Sequence, residues 1–192
     1  MQQLLAKSIS HIFSPIIAWP ILTLILVYGT GLTYDQKSAV LLPLLLTDIV
    51  LPVIVLTLFR KFNLISDFEI TKVRERRIYF LTILAFHLLS VVVLWYYAND
   101  VAAELRLLGW IMEIAGTIIT FFWKISVHLA ANSFLIGIVM VVFGWQWWPL
   151  LVILPIVAWS RVVRKKHTIA QTIAGSVLTL VITFGGAWLL GI

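Results

Sequence analysis

No cysteine occurs among the 192 residues. Disulfide frameworks and thiol chemistry are thereby excluded, and nothing marks the redox compartment. Charge is scarce: 11% of residues are Asp, Glu, Lys or Arg against 62% apolar, with a mean hydropathy of +1.08. That balance excludes a soluble domain of this size. Acidic residues are the scarcer sign, 8 against 14 basic, for a formal net charge of +6. In so apolar a chain the surplus belongs to loops on one side of a membrane and to lipid headgroups, and no nucleic-acid partner is expected. The N-terminal stretch after Lys7 lacks a short apolar core ending at a small-residue cleavage site, so it reads as a retained anchor. There is no internal repeat and no low-complexity linker. The expectation is one all-α integral membrane domain over residues 1–192, a bundle of six to seven transmembrane helices.

What is present is a series of long apolar runs. A helix needs about 20 apolar residues to cross a bilayer. Candidate spans run from about Ile9 to Leu32, Ala39 to Phe59, Ile78 to Tyr97 and Leu107 to Trp123. A short fifth span ends near Gly144, a short sixth near Trp159, and the last runs from about Thr168 to Leu190. Pro15 and Pro20 fall in the first, which membrane helices tolerate where neighbours satisfy the freed carbonyls. Trp123, Trp145, Trp147 and Trp148 read as an interfacial belt. The small residues Ala170, Ala174, Gly175, Ser176, Gly185 and Gly186 mark close helix packing in the last span.

Counting crossings puts the polar segments 60–77, 124–128 and 160–167 on one face of the membrane. Only Lys37 and Arg106 of the 14 Lys and Arg fall on the other, in the turns at 33–38 and 98–106. By the positive-inside rule the basic face is cytoplasmic, although a site for phosphate recruits basic residues for its own reasons. Asp48, His87 and Glu113 lie inside spans, roughly 12–17 Å from the basic face at about 1.5 Å per residue. They read as a buried polar cluster joining the second, third and fourth spans, or as a proton or substrate path. His11 carries no signal.

The basic face holds the chemistry. Its last segment reads S-R-V-V-R-K-K-H-T-I-A-Q from Ser160 to Gln171. Arg161, Arg164, Lys165 and Lys166 stand just upstream of His167, and Gln171 follows four residues later, on the same helical face as the imidazole. The middle segment, Lys124-Ile-Ser-Val-His128, enters a predicted helix whose first N–H groups can face an anion. The first holds Lys72, Arg76 and Arg77. Taken singly, basic runs at span ends are topology signals and interfacial histidines are polar anchors.

Together these segments resemble the three signatures of the type 2 phosphatidic acid phosphatase family, in order, over about 100 residues. Ser160, Arg161 and His167 match the third, S-R-x5-H-x3-D, with Gln171 in place of the Asp. Ser126 and His128 match the second, P-S-G-H, with Ile125 and Val127 in place of Pro and Gly. Lys72 with Arg76 and Arg77 loosely matches the first, K-x6-R-P. Divergent bacterial members look similar, which implies a prokaryotic cell membrane.

The resemblance implies a lipid phosphatase that needs neither metal nor cofactor. His167 would attack phosphorus and form a phosphohistidine, while His128 would protonate the leaving alkoxide and then activate water. Lys72, Arg76 or Arg77, Ser126, Ser160 and Arg161 would bind the phosphate. Such a reaction asks the protein mainly for positioning and charge neutralisation. Gln171 would orient the imidazole without a carboxylate's charge. In serine proteases the comparable Asp-to-Asn change costs about 10⁴ in kcat through the wrong tautomer, so a slow or specialised enzyme is expected. Polyprenyl phosphates or diphosphates, phosphatidate and phosphatidylglycerophosphate fit equally as substrates.

Two other functions compete. A catalytically impaired relative would bind or translocate lipid phosphates, and Gln171, Val127 and the missing prolines favour it. A small transporter would be built on Asp48, His87 and Glu113. Metal-dependent alcohol phosphotransfer and prenyl transfer lack their Asp-rich patterns, D-G-x2-A-R and N-D-x2-D.

Overall fold

The computed structural model describes all 192 residues and contains helices but no strand. Helices α1 (Gln2–Ile12), α2 (Pro15–Gly29) and α3 (Tyr34–Leu45) are followed by a π-helical turn (Leu46–Val50) and α4 (Leu51–Lys61). Then come α5 (Val73–Tyr97), α6 (Asp100–Phe122), α7 (Val127–Phe143), a 3₁₀ segment (Trp145–Val152), α8 (Ile153–Val163) and α9 (Ile169–Leu190). Six helical stretches are long and apolar enough to cross a membrane: Gln2–Gly29, Tyr34–Lys61, Val73–Tyr97, Asp100–Phe122, Trp145–Val163 and Ile169–Leu190. The chain is thus an all-α, multi-pass membrane protein. The expected short fifth span corresponds to α7, which has 17 residues.

Three expectations are corrected. The first span begins at Gln2 and breaks at Phe13–Ser14, because the Ser14 carbonyl caps a new helix opened by Pro15, whose missing N–H costs nothing at that position. The turn expected at 145–149 is a 3₁₀ segment continuous with α8. Arg106, expected in a loop, lies within α6 and is fully buried.

The helices group into two compact units, residues 1–25 with 125–192, and residues 26–124. In the first, Leu129, Ile136, Met140, Leu154 and Val157 form a core from α7 and α8, with Leu180 and Phe184 of α9 packed against it. Trp145 stacks on Phe184 at 5.1 Å between ring centroids. Helices α7 and α9 approach closely at two glycines. A Cβ on Gly175 would lie 2.8 Å from the Ser126 carbonyl oxygen, and one on Gly137 would lie 2.8 Å from Thr183 Cγ2. Small residues permit such approach in membranes, where packing rather than water exclusion holds helices together.

In the second unit Leu56, Ile65 and Ile70 form a small core with Phe59 and Tyr79. A buried polar cluster joins the π turn to α5 and α6. Arg106 Nη2 donates to Asp48 Oδ1 at 3.1 Å, and His87 Nδ1 lies 2.7 Å from Glu113 Oε1. The π turn that presents Asp48 is followed by Pro52, which has no N–H to return to the Asp48 carbonyl.

Candidate functional site

The spacing from Arg161 to Gln171 has a local structural origin. Helix α8 ends in a Schellman turn: the Lys165 N–H donates to the Val162 carbonyl at 2.9 Å, and the Lys166 N–H to the Arg161 carbonyl at 3.0 Å. Lys165 takes the left-handed conformation there, φ +55°. Just beyond, Thr168 caps α9. Its hydroxyl accepts from the Gln171 N–H at 3.3 Å, while Gln171 Oε1 accepts from the Thr168 N–H at 3.1 Å, a reciprocal capping box. His167 is held between the stop of one helix and the start of the next, its N–H 3.4 Å from the Arg161 carbonyl.

Gln171 also fixes the His167 ring. His167 Nδ1 lies 3.1 Å from Gln171 Oε1. A backbone N–H can only donate, so the atom it meets must be the amide oxygen, not the nitrogen. That oxygen can only accept, so His167 carries a hydrogen on Nδ1, and in the neutral ring the lone pair is on Nε2.

His128 stands in the first turn of α7. Its Nε2 is 3.2 Å from the Ser10 carbonyl oxygen and 3.4 Å from Arg161 Nη1. These two contacts ask opposite things of the ring. The carbonyl contact is the shorter of the two, and a hydrogen on His128 Nε2 serves it, while Arg161 Nη1 donates to Ser10 Oγ. The Ser10 hydroxyl also accepts from Arg164 Nη1 at 2.8 Å. Ser10 and Arg161 are both buried. Asn132, one turn beyond His128, donates to the Phe13 carbonyl at 2.8 Å and to the His128 carbonyl at 2.7 Å.

The Ser126 N–H donates to the Gln171 carbonyl at 3.3 Å, tying the start of α7 to the first turn of α9. Its hydroxyl is fully buried and has no hydrogen-bond partner. Ser160 is equally buried, and its hydroxyl donates to the Val157 carbonyl at 2.7 Å. Thus Ser126, His128, Ser160, Arg161, His167 and Gln171 converge at one end of the first unit.

Lys72, Arg76 and Arg77 belong to the second unit, where each has a partner of its own. Lys72 Nζ pairs with Glu75 at 3.2 Å and is largely exposed. Buried Arg76 donates through Nε to the Ile70 carbonyl at 2.7 Å, bracing a loop in which Ile70 has φ +45°. Arg77 Nη2 donates to the Phe121 carbonyl at 2.8 Å and its guanidinium lies 5.0 Å from the centroid of that ring. A cation there complements the carbonyl end of α6.

Two participants escape a reading of the sequence. Ser10 carries no motif; only its place shortly before Pro15 hints that a helix end lies nearby. Arg106 reads as a loop residue because Asp100, Glu104 and Arg106 are close in sequence, yet its partner Asp48 draws it into the helix.

An apolar groove of about 430 Å³ runs between α8 and α9, lined by Leu154, Ala158, Val162, Ile169, Ile173 and Val177 among others. Val162 and Ile169 flank the 163–168 turn that carries His167. Comparison of the chain with protein-family models, with curated proteins and with solved structures gives no match.

Proposed function

We propose that the chain is an integral membrane phosphatase of lipid phosphate monoesters or diphosphates, in a prokaryotic cell membrane, working through a phosphohistidine. The observation that carries this reading is the His167–Gln171–Thr168 arrangement. It places a hydrogen on Nδ1, so in the neutral ring Nε2 is the nitrogen that would attack, at the same end of the unit as a second imidazole and a buried arginine.

In the proposed reaction His167 Nε2 attacks phosphorus and the P–O bond to the lipid breaks. His128 acts as the imidazolium: its Nε2 hydrogen passes to the departing alkoxide, which leaves as the alcohol, and the ring stays neutral with its remaining hydrogen on Nδ1. His128, now with an Nε2 lone pair, takes a proton from water as that water attacks the phosphohistidine. The P–N bond breaks, inorganic phosphate departs and both rings return to their starting states. Arg161 offers charge and a forked set of donors to the non-bridging oxygens. The buried Ser126 hydroxyl and the first N–H groups of α7 add donors. The α8–α9 groove supports a lipid over a water-soluble ester, since a chain leaving the His167 turn has an apolar channel to follow.

Release of inorganic phosphate by the detergent-purified chain, from polyprenyl phosphates, phosphatidate and phosphatidylglycerophosphate, tests the reading. Turnover abolished by His167→Ala, with an acid-labile phosphoenzyme in the parent protein, is the expected result. Binding of these lipids without turnover would favour the second reading, a lipid-phosphate binder, which the amide at Gln171 and Val127 in place of a glycine also favour.

A further inference from the structure

We propose that α1 is a lid on the phosphate site, with Ser10 filling the place of the substrate. The inference rests on the phosphatase reading and concerns how that site is closed.

The groups that would grip a lipid phosphate are not idle in this structure. Arg161 and Arg164 both donate to the Ser10 hydroxyl, and His128 Nε2 faces the Ser10 carbonyl at 3.2 Å. One residue thus presents a hydroxyl oxygen to the anion-binding cations and a carbonyl oxygen to the proposed acid. A bound ester would put a non-bridging oxygen and a leaving oxygen on the same three side chains. Ser10 lies in the last turn of α1, where unpaired carbonyls carry the negative end of the helix dipole. The mimicry therefore extends to sign as well as position. A phosphate cannot occupy these donors while Ser10 holds them, so α1 must withdraw for substrate to enter.

The rest of α1 lies along α8 with Ala6 fully buried, so withdrawal must undo this packing as well as the Ser10 contacts. A further polar tie to α8 is an exposed hydrogen bond, Gln3 Nε2 to the Val163 carbonyl at 3.1 Å. Leu4 and Leu5 are exposed at 72% and 54%, apolar surface that an adjacent bilayer can cover as the helix swings. Its far end is pinned, because Asn132 holds the Phe13 carbonyl at the break before α2. Ser10 lies only three residues from that tie, so its withdrawal takes α1 off α8 as a body and releases the Gln3 and Asn132 ties together.

The chain contains no cysteine, so a two-cysteine lock introduces the only thiols. Gln3→Cys with Val163→Cys, in the full-length detergent-purified protein, is closed by oxidation or by a short bis-maleimide and checked by loss of free thiols. Tungstate, a tetrahedral oxyanion, serves as the probe, with affinity read by calorimetry. The open form should bind tungstate, and the closed form at least about tenfold more weakly. Ser10→Ala should bind it more tightly than the parent, since a competing oxygen is gone. Equal affinity in open and closed forms, or weaker binding by Ser10→Ala, overturns the lid while leaving the phosphate site standing. Should neither form nor the Ser10→Ala protein bind tungstate, the phosphate site itself is refuted and the lid with it. The lock is compared within one purified protein, so misfolding cannot imitate the expected result.

Discussion

Gln171 Oε1 is shared by His167 Nδ1 and the Thr168 N–H, each at 3.1 Å. One amide oxygen therefore both starts α9 and selects the tautomer of the proposed nucleophile. Gln171→Asp supplies a negative charge to stabilise the imidazolium, so kcat for lipid phosphate hydrolysis should rise. Gln171→Ala removes half of the capping box and the tautomer control together. It should lower the stability by about 1 kcal/mol and reduce turnover by orders of magnitude. Steady-state phosphate release with thermal unfolding in detergent separates the two effects. An unchanged or lower rate in Gln171→Asp would count against Gln171 as the orienting group.

Gly175 is the point where α9 meets the start of α7. With a Cβ there only 2.8 Å from the Ser126 carbonyl, backbone must move. Gly175→Ala should destabilise by about 1–3 kcal/mol and lower kcat by shifting His128 against His167. Gly185 is the control, since a Cβ placed on it would meet nothing within 4 Å. Gly185→Ala should hold or raise the unfolding temperature, because alanine is the better helix former.

Asp48 and Arg106 are an ion pair with almost no exposure. Removing Asp48 leaves Arg106 with the longer contact to Glu113, 3.9 Å away. Asp48→Ala should cost about 3–5 kcal/mol, whereas replacing both, Asp48→Leu with Arg106→Met, should cost far less. Unfolding midpoints of the parent and the two variants in the same detergent check this. A double variant no better than the single would show that the pair does not act as a unit.

Lys165 ends α8 in a conformation that a side chain disfavours, φ +55°. Lys165→Gly should stabilise by up to about 1 kcal/mol, the gain expected for glycine at this position of a Schellman turn. Lys165 is exposed and takes no part in the His167 arrangement, so phosphate release should be unchanged.

Much of this architecture is legible in the chain because it is written in local patterns. Apolar runs of bilayer length mark the spans, and Thr168-Ile-Ala-Gln171 announces a capping box by residue type and spacing alone. Thr33-Tyr-Asp-Gln36 forms the same box, although residues 33–38 read as a turn and α3 in fact begins at Tyr34. The C-terminal ends of α5 and α6 and both ends of α9 fall where the sequence places them, whereas charged residues hide the first turns of α5 and α6, which begin at Val73 and Asp100. What resists reading is what depends on partners distant in sequence. Arg106 looks like a loop residue until Asp48, 58 positions away, is seen to neutralise it. Ser10 is one small polar residue among many, and its meaning comes from Arg161, 151 positions away. The break at Phe13–Ser14 ends a mixed stretch, Ser8-Ile-Ser-His-Ile-Phe-Ser14, that merges with the long apolar run after it when the span is read by hydropathy. Lys72, Arg76 and Arg77 read alike as phosphate ligands, while the fold gives each a separate partner, that of Arg77 being 44 positions away.

The shared oxygen has one more consequence. Any loosening that unwinds the opening turn of α9 also frees the His167 ring to flip and trade its hydrogen between nitrogens. Reactivity and local order would then fail in the same event, so a thinned or overheated bilayer would switch the protein off before it fell apart.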